Sequence, residues 1–347
     1  MQTVHRIFNK DAETMTELDD KSVDLVVTSP PYPMIEMWDN LFCEKDSSIR
    51  PMIDRGNGDE AFNHMHLLLE PIWKELFRVT VEGGIVCINI GDAVRSLNGT
   101  FKIYSNHARI INFFSSVGFT TLPSVIWRKQ TNAPTKFMGS GVLPSGAYIT
   151  LEHEHILIFR KGEKRRFVSA EEKLNRRKSA IFWEERNAWY SDLWDIKGTR
   201  QERKGERTIR RSAAFPLQIP YRLICMFSVY GDTVLDPFMG TGSTLMAAML
   251  AARNSIGYEI DEQYFPLVAN RVIEEGWQHN NLIDKRLAEH NKFIDKAEKE
   301  GRKMKYVNNY YGFKVVTGQE KELTLYRIEK INKKESGIFM AEYGGLL

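Results

Sequence analysis

"DTVLDPFMGTGSTLMAAMLAA", Asp232–Ala252, changes character twice within a short span. Thr233–Asp236 reads as a buried strand. Pro237–Gly242 holds the turn residues, and from Ser243 onward the residues are small or apolar with high helical propensity. The result is strand, glycine turn, helix. Glycine lets a backbone approach a ligand closely, and the free amides of a helix's first turn favour anionic groups. The dinucleotide pattern G-x-G-x-x-G fails at its last position, Leu245, so the turn by itself reads equally well as a tight strand–helix connection. Its surroundings add to it. "NSIGYEID", Asn254–Asp261, follows as a second strand that ends in Glu259 and Asp261. Acids about 20 residues beyond such a turn can accept bonds from ribose hydroxyls. The unit reads as a nucleoside-cofactor half-site.

Working outward, residues 1–128 alternate strand-like and helix-like runs. "SVDLVVTS" is apolar enough for a parallel strand buried on both faces. "NHMHLLLEPIWKELFRVT" has helical apolar spacing, "GGIVCINIGDA" is turn then strand, "HARIINFFSSVGF" is helix and "TLPSVIWRK" strand. The alternation predicts an α/β sheet with crossover helices. Residues 130–150, rich in Gly, Pro and Ser, read as a long loop; "LEHEHILIFRK" reads as a strand and "IPYRLICMFS" as a helix. Beyond Gly276 a charged helix and three short β segments suggest a small appended α+β element. The expected divisions are 1–160 and 212–276 for two halves of one domain, 161–211 for a basic insert and 277–347 for the extension.

Composition narrows the function classes. The 347 residues carry a net charge of only +3, but Arg160–Arg211 holds 17 Lys/Arg against 9 Asp/Glu, a net of +8 on an otherwise acidic chain. Such a block is the footprint of a polyanion partner, or else a solvated charged insert. No apolar run is long enough to span a membrane, and "MQTVHRIFNKD" has no signal-peptide core, so a cytoplasmic location is expected. Three scattered cysteines make no CxxC pair. "EHEH", Glu152–His155, puts His153 and His155 on one strand face, but with no third ligand in view no metal is assigned. His64 and His66 are read as surface histidines, and Trp38, Trp183, Trp189 and Trp194 as packing residues rather than base-stacking platforms.

A second motif begins at the end of the strand "VDLVV". "TSPPYPMIEMW", Thr28–Trp38, stops it with Ser29-Pro30-Pro31-Tyr32. Proline fixes φ and has no amide donor, so this turn is stiff and offers oxygens without local partners. Together the two motifs are decisive. The chain resembles the amino-methylating DNA methyltransferases that use S-adenosylmethionine. Ser29-Pro30-Pro31-Tyr32 matches their [D/N/S]-P-P-[Y/F/W] signature. Asp236-Pro237-Phe238-Met239-Gly240-Thr241-Gly242-Ser243 matches their cofactor motif D-P-F-x-G-[ST]-G-[ST], and Phe215-Pro216 begins a segment like the one they place before it. The resemblance covers most of residues 5–275. The catalytic motif precedes the cofactor motif, which is the family's β arrangement, with target recognition between the halves.

The resemblance implies a Rossmann-like methyltransferase sheet with permuted motif order, S-adenosylmethionine as cofactor and double-stranded DNA as substrate. It implies that the Ser29 hydroxyl and the Pro30 carbonyl accept bonds from the target amine, while Tyr32 stacks on the extruded base. Asp11, Phe215, Pro216, Asp236, Pro237, Phe238, Gly240, Gly242, Ser243, Glu259 and Asp261 are then the expected cofactor residues. Asp11 lacks the family's preceding glycine and reads equally as a helix cap. Arg165, Arg166, Arg176 and Arg177 are the expected DNA contacts. Serine at the first motif position points to N4 of cytosine, with N6 of adenine as the alternative. An RNA or protein amide methyltransferase and a non-catalytic DNA-binding protein are more distant readings. The sequence leaves open whether the chain dimerises, as β-arranged relatives often do, and whether a cognate restriction endonuclease accompanies it.

Overall fold

The computed structural model describes residues 1–129, 141–198 and 215–344. Its strands are β1 (Gln2–Phe8), β2 (Val23–Thr28), β3 (Thr80–Ile90), β4 (Ala93–Leu97), β5 (Thr100–Tyr104), β6 (Phe119–Arg128), β7 (His153–Lys161), β8 (Leu193–Asp195), β9 (Thr233–Asp236), β10 (Asn254–Tyr258), β11 (Tyr306–Val307), β12 (Lys314–Val315), β13 (Ile328–Glu335) and β14 (Ile338–Tyr343). Ten of them form one sheet in the order β13-β14-β1-β10-β9-β2-β3-β7-β6-β8. β1, β10, β9, β2 and β3 run parallel; β7 and β14 are antiparallel to their neighbours in that core. The helices are α1 (Asp39–Lys45), α2 (Ile49–Asp54), α3 (Gly58–Val79), α4 (Asn106–Ser116), α5 (Ala170–Lys178), α6 (Trp183–Trp189), α7 (Gln218–Phe227), α8 (Ser243–Leu250), α9 (Tyr264–Glu275) and α10 (Asn280–Lys299).

β2 is central, so both its faces must be apolar. Val23, Leu25, Val26 and Val27 are fully buried. One face packs under α3 and α4 through Leu69, Trp73, Leu76, Ile110 and Phe114. The other packs under α7 and α8 through Ile219, Leu223, Ile224, Ala247 and Leu250. β9 is followed by α8 and then β10 on one side of the sheet's centre, whereas β2 is followed by α3 and then β3 on the other. The strand order therefore reverses between β9 and β2, the place where open α/β sheets bind ligands at the carboxyl ends of strands. Leu25 pairs with Val234 and Val26 with Leu235, so the strands that end in the two motifs are direct neighbours.

The C-terminal hairpin β13–β14 extends the main sheet by pairing with β1. A buried chain of hydrogen bonds fastens it: Ser255 Oγ to His5 Nδ1 (2.8 Å), His5 Nε2 to Thr3 Oγ1 (2.8 Å) and Thr3 Oγ1 to the Tyr343 hydroxyl (2.9 Å). The basic insert, read as aperiodic, contains α5 with a Ser169/Glu172 capping box, then α6 and the edge strand β8. Its residues 199–211 and loop residues 130–140 lie outside the described residues. His66 is buried and bonds Asn106 Oδ1 at 2.9 Å, so it is not a surface histidine. Residues i and i+2 on a helix point in nearly opposite directions, and α3 turns His66 inward while His64 stays partly exposed.

Candidate active site

A cavity of about 340 Å³ opens at the carboxyl ends of β2, β9 and β10. Both motifs border it. Ser29 and Pro31 come from the turn after β2, Pro237, Phe238 and Gly240 from the turn after β9, and Glu259 and Asp261 from the end of β10. Asp11 lines it as well. Its carboxylate accepts the Glu13 amide at 2.8 Å and pairs with Lys45, so it caps a turn rather than a helix. Trp38, Phe42, Leu69, Ile72 and Tyr258 supply an apolar wall, and Lys10 and Lys45 supply positive charge. None of these seven was singled out as a binding residue in the sequence.

Gly240 is the clearest mark of a ligand site. Its φ is +51°, and a Cβ there would meet no protein atom nearer than the Phe238 carbonyl oxygen at 4.0 Å. The space belongs to the cavity. Gly242 differs: its φ is +80°, and a Cβ would come within 2.7 Å of Val268 Cγ1, so this glycine serves the packing of α9. Glu259 Oε2 accepts the Gly240 amide at 2.8 Å and its Oε1 accepts the Asp261 amide at 2.9 Å. Burial holds this carboxyl above its usual range. It shapes the glycine turn and lines the cavity at once.

Asp236 does not reach the cavity. It is 4% exposed and accepts the Thr28 hydroxyl at 2.6 Å and the Phe238 amide at 3.1 Å, and burial raises its pKa to about 6. Phe215 and Pro216 are likewise buried and lie off the cavity wall, as do Gly242 and Ser243. Gly242 and Ser243 fix the start of α8.

Tyr32 is 8% exposed, and its hydroxyl is the hub of a network. It donates to Glu154 Oε2 at 2.9 Å, accepts from Asn89 Nδ2 at 2.8 Å and lies 3.1 Å from Ser29 Oγ. Burial, and then the Glu154 charge, keep the phenol protonated. Its single proton is committed to Glu154, so Ser29 must be the donor in their contact. The Ser29 lone pairs are thereby left to accept. Lys129 completes the network by pairing with Glu154. The Asn89 carbonyl oxygen is buried and has no hydrogen-bond partner among the described residues. The sequence reading missed Asn89, although a lone amide in the apolar run "IVCINI" is a visible anomaly. It missed Glu154 because "EHEH" drew attention to the histidines on the opposite strand face.

The four arginines are not at this cavity. Arg165, Arg176 and Arg177 border a larger one, about 830 Å³, together with Asp24, Gly83 and Val229. Those three sit at the amino ends of β2 and β3 and just before β9, the opposite end of the strands from Ser29. Arg165 pairs with Asp232 at 2.6 Å and Asp24 at 3.4 Å; Arg166, Arg176 and Arg177 are exposed. Of the tryptophans, Trp189 and Trp194 are core, Trp183 is half-buried against Phe293, and Trp38 lines the smaller cavity.

Residues 23–270 match the family described as DNA methylase, the N6/N4 methyltransferases. The chain belongs to that family. It is 49% identical over 347 residues to the type II methyltransferase M.MthZI of Methanothermobacter thermautotrophicus, covering 99% of this chain and 96% of that one. It is 50% identical to the type II methyltransferase M.MjaI of Methanocaldococcus jannaschii, covering 78% and 91%. Among solved structures, a protein described as a putative DNA modification methylase of Thermus thermophilus, complexed with S-adenosyl-L-methionine, is 31% identical over 77% of this chain and 92% of that one, with a TM-score of 0.60. The PvuII DNA methyltransferase superimposes with a TM-score of 0.55 at 16% identity, covering 82% and 94%. The protein is thus a DNA methylase of Rossmann-like fold whose cofactor is S-adenosyl-L-methionine. No described helix is long and apolar enough to cross a membrane.

Proposed function

We propose that the protein methylates N4 of cytosine in duplex DNA, with Ser29 and Pro30 as the amine acceptors. The observation that carries this is the Ser29 hydroxyl, at the end of β2 on the wall of the cofactor cavity, with its proton given to Tyr32. Bound in the cavity of about 340 Å³, S-adenosyl-L-methionine supplies a sulfonium-activated methyl group. The protein's share is position and charge. An exocyclic amine is a weak nucleophile because its lone pair delocalises into the base. Acceptors fixed in advance on the Pro30-Pro31 turn orient its two N–H bonds and favour a tetrahedral nitrogen, without reorganisation during reaction. The target leaves the helix to reach Ser29, at a cost of a few kcal/mol.

Tyr32, braced through its hydroxyl, forms the rigid side of the base pocket. Its ring also rests where a Cβ on Gly91 would intrude, at 3.0 Å. The buried Asn89 oxygen beside it is a further acceptor. Cytosine rather than adenine follows from serine in place of aspartate at the motif's first position. Membership of the type II class, as the two archaeal relatives are named, is part of the same proposal. Methylated DNA digested to nucleosides and resolved by mass spectrometry tests it. N4-methylcytosine supports the proposal, and N6-methyladenine as the sole product overturns the choice of base.

A further inference from the structure

Asp92, His107 and His155 converge beside Gly91, which packs against Tyr32 and Glu154, and no step of the proposed methyl transfer uses them. Each comes from a different element. Asp92 follows β3, His107 is the second residue of α4 and His155 lies near the start of β7. The fold has definite reasons for bringing them together. His155 is the register partner of Ile90, two residues before Asp92. Asn106, which opens α4, donates to the Gly91 carbonyl at 2.9 Å and pins the helix end to the end of β3. His107 Nδ1 lies 2.7 Å from Asp92 Oδ2, and the His107 and His155 rings stack with centroids 4.1 Å apart. One ligand atom from each of the three lies within 4.8 Å of the others.

We propose that Asp92, His107 and His155 form a binding site for a divalent transition cation of the zinc type. Two imidazoles and one carboxylate are a donor set that Zn²⁺ prefers and that Mg²⁺ and Ca²⁺ do not. Tetrahedral bonds of about 2.0–2.2 Å need ligand atoms about 3.3–3.6 Å apart, so the side chains would close in from within 4.8 Å and the stacked imidazoles would turn until both ring planes contain the ion. The His153 ring lies 5.0 Å from that of His155 but outside the three-residue group, so a water would complete the coordination. This is the third ligand set that "EHEH" lacked when read as sequence. The bound ion ties the end of β3, the start of α4 and β7 together directly behind Gly91 and Glu154, and so stiffens the wall that holds Tyr32.

The test is competition for Zn²⁺ between the chelator-stripped full chain and a chromogenic chelator, with thermal melts alongside. The wild-type chain and a His64→Gln control, in which a remote His64–Asp46 pair is altered, should each take up one equivalent and melt at a higher temperature with Zn²⁺. His107→Gln and His155→Gln should each bind at least tenfold more weakly and lose the shift. His107 is partly exposed at a helix start, so its variant should keep the wild-type circular dichroism. Absence of stoichiometric uptake by the wild type overturns the proposal. So does unchanged uptake by both variants, or a loss confined to one of them.

Discussion

Thr28 donates its hydroxyl to the Asp236 carboxylate at 2.6 Å, joining two motifs that lie 208 residues apart in the chain. Thr28 immediately precedes Ser29, and Asp236 immediately precedes Pro237. One buried bond therefore sets the turn that begins at Ser29 against the turn that begins at Pro237. Thr28→Val keeps the shape and removes the donor. A hydrogen bond to a charged group contributes about 1.5–3 kcal/mol, so urea denaturation should show a loss of that size. Cofactor affinity, measured by calorimetry, should fall with it.

Gly240→Ala separates ligand space from protein packing. The new methyl group meets no protein atom nearer than 4.0 Å, so the stability loss should be confined to the positive φ, about 1–2 kcal/mol. The methyl group would instead take up volume in the cavity proposed for the cofactor. Calorimetry should show at least a tenfold weaker affinity for S-adenosyl-L-methionine. An unchanged affinity would move the cofactor away from this turn.

Arg165→Glu should act on stability rather than on DNA. It replaces the cation between Asp232 and Asp24 with a third carboxylate. Burial and then Asp232 already hold the Asp24 carboxyl above its usual range. A loss of about 2 kcal/mol is expected in denaturant unfolding. A true phosphate contact would also lower the slope of log affinity against log salt by about 0.9. The expected change in slope is none, because Arg165 lies at the far end of the strands from Ser29.

His5 should make the C-terminal hairpin acid-sensitive. Full burial lowers its pKa to about 3, while an unfolded histidine titrates near 6.5. Between those values only the unfolded chain takes up the proton. The contribution of neutral His5 is thus intact above about pH 6.5 and is lost as pH falls toward 3, by at most roughly 4–5 kcal/mol. The stability gap between wild type and His5→Gln, followed by denaturation from pH 7 to pH 4, should narrow steadily.

The two motifs and their order were legible because each is local: a stiff Pro-Pro turn and a Gly turn each follow an apolar run. Their adjacency is not local: it rests on the β2–β9 pairing, which joins segments about 200 residues apart. What stayed hidden depends on distant contacts. Glu154 and Lys129 meet Tyr32 only because β7 lies beside β3 and β6 beside β7. Composition located the basic block but could not say at which end of the sheet its arginines lie. The short β segments of the tail were visible, yet their partner, β1, lies at the other end of the chain. The inward turn of His66 was within reach of helical geometry and was missed by treating "HMH" as a pair.

The most direct test of the account is single-turnover methyl transfer by Ser29→Ala, with cofactor affinity measured on the same preparation. Ser29 Oγ makes one described hydrogen bond, to Tyr32, so its loss should leave the fold and the cofactor cavity in place. Removing one pre-set group that stabilises a transition state lowers turnover by about 10²–10³-fold. A transfer rate reduced by at least a hundredfold, with the dissociation constant for S-adenosyl-L-methionine within twofold of wild type, is the predicted result. A transfer rate equal to wild type would contradict Ser29 as the amine acceptor.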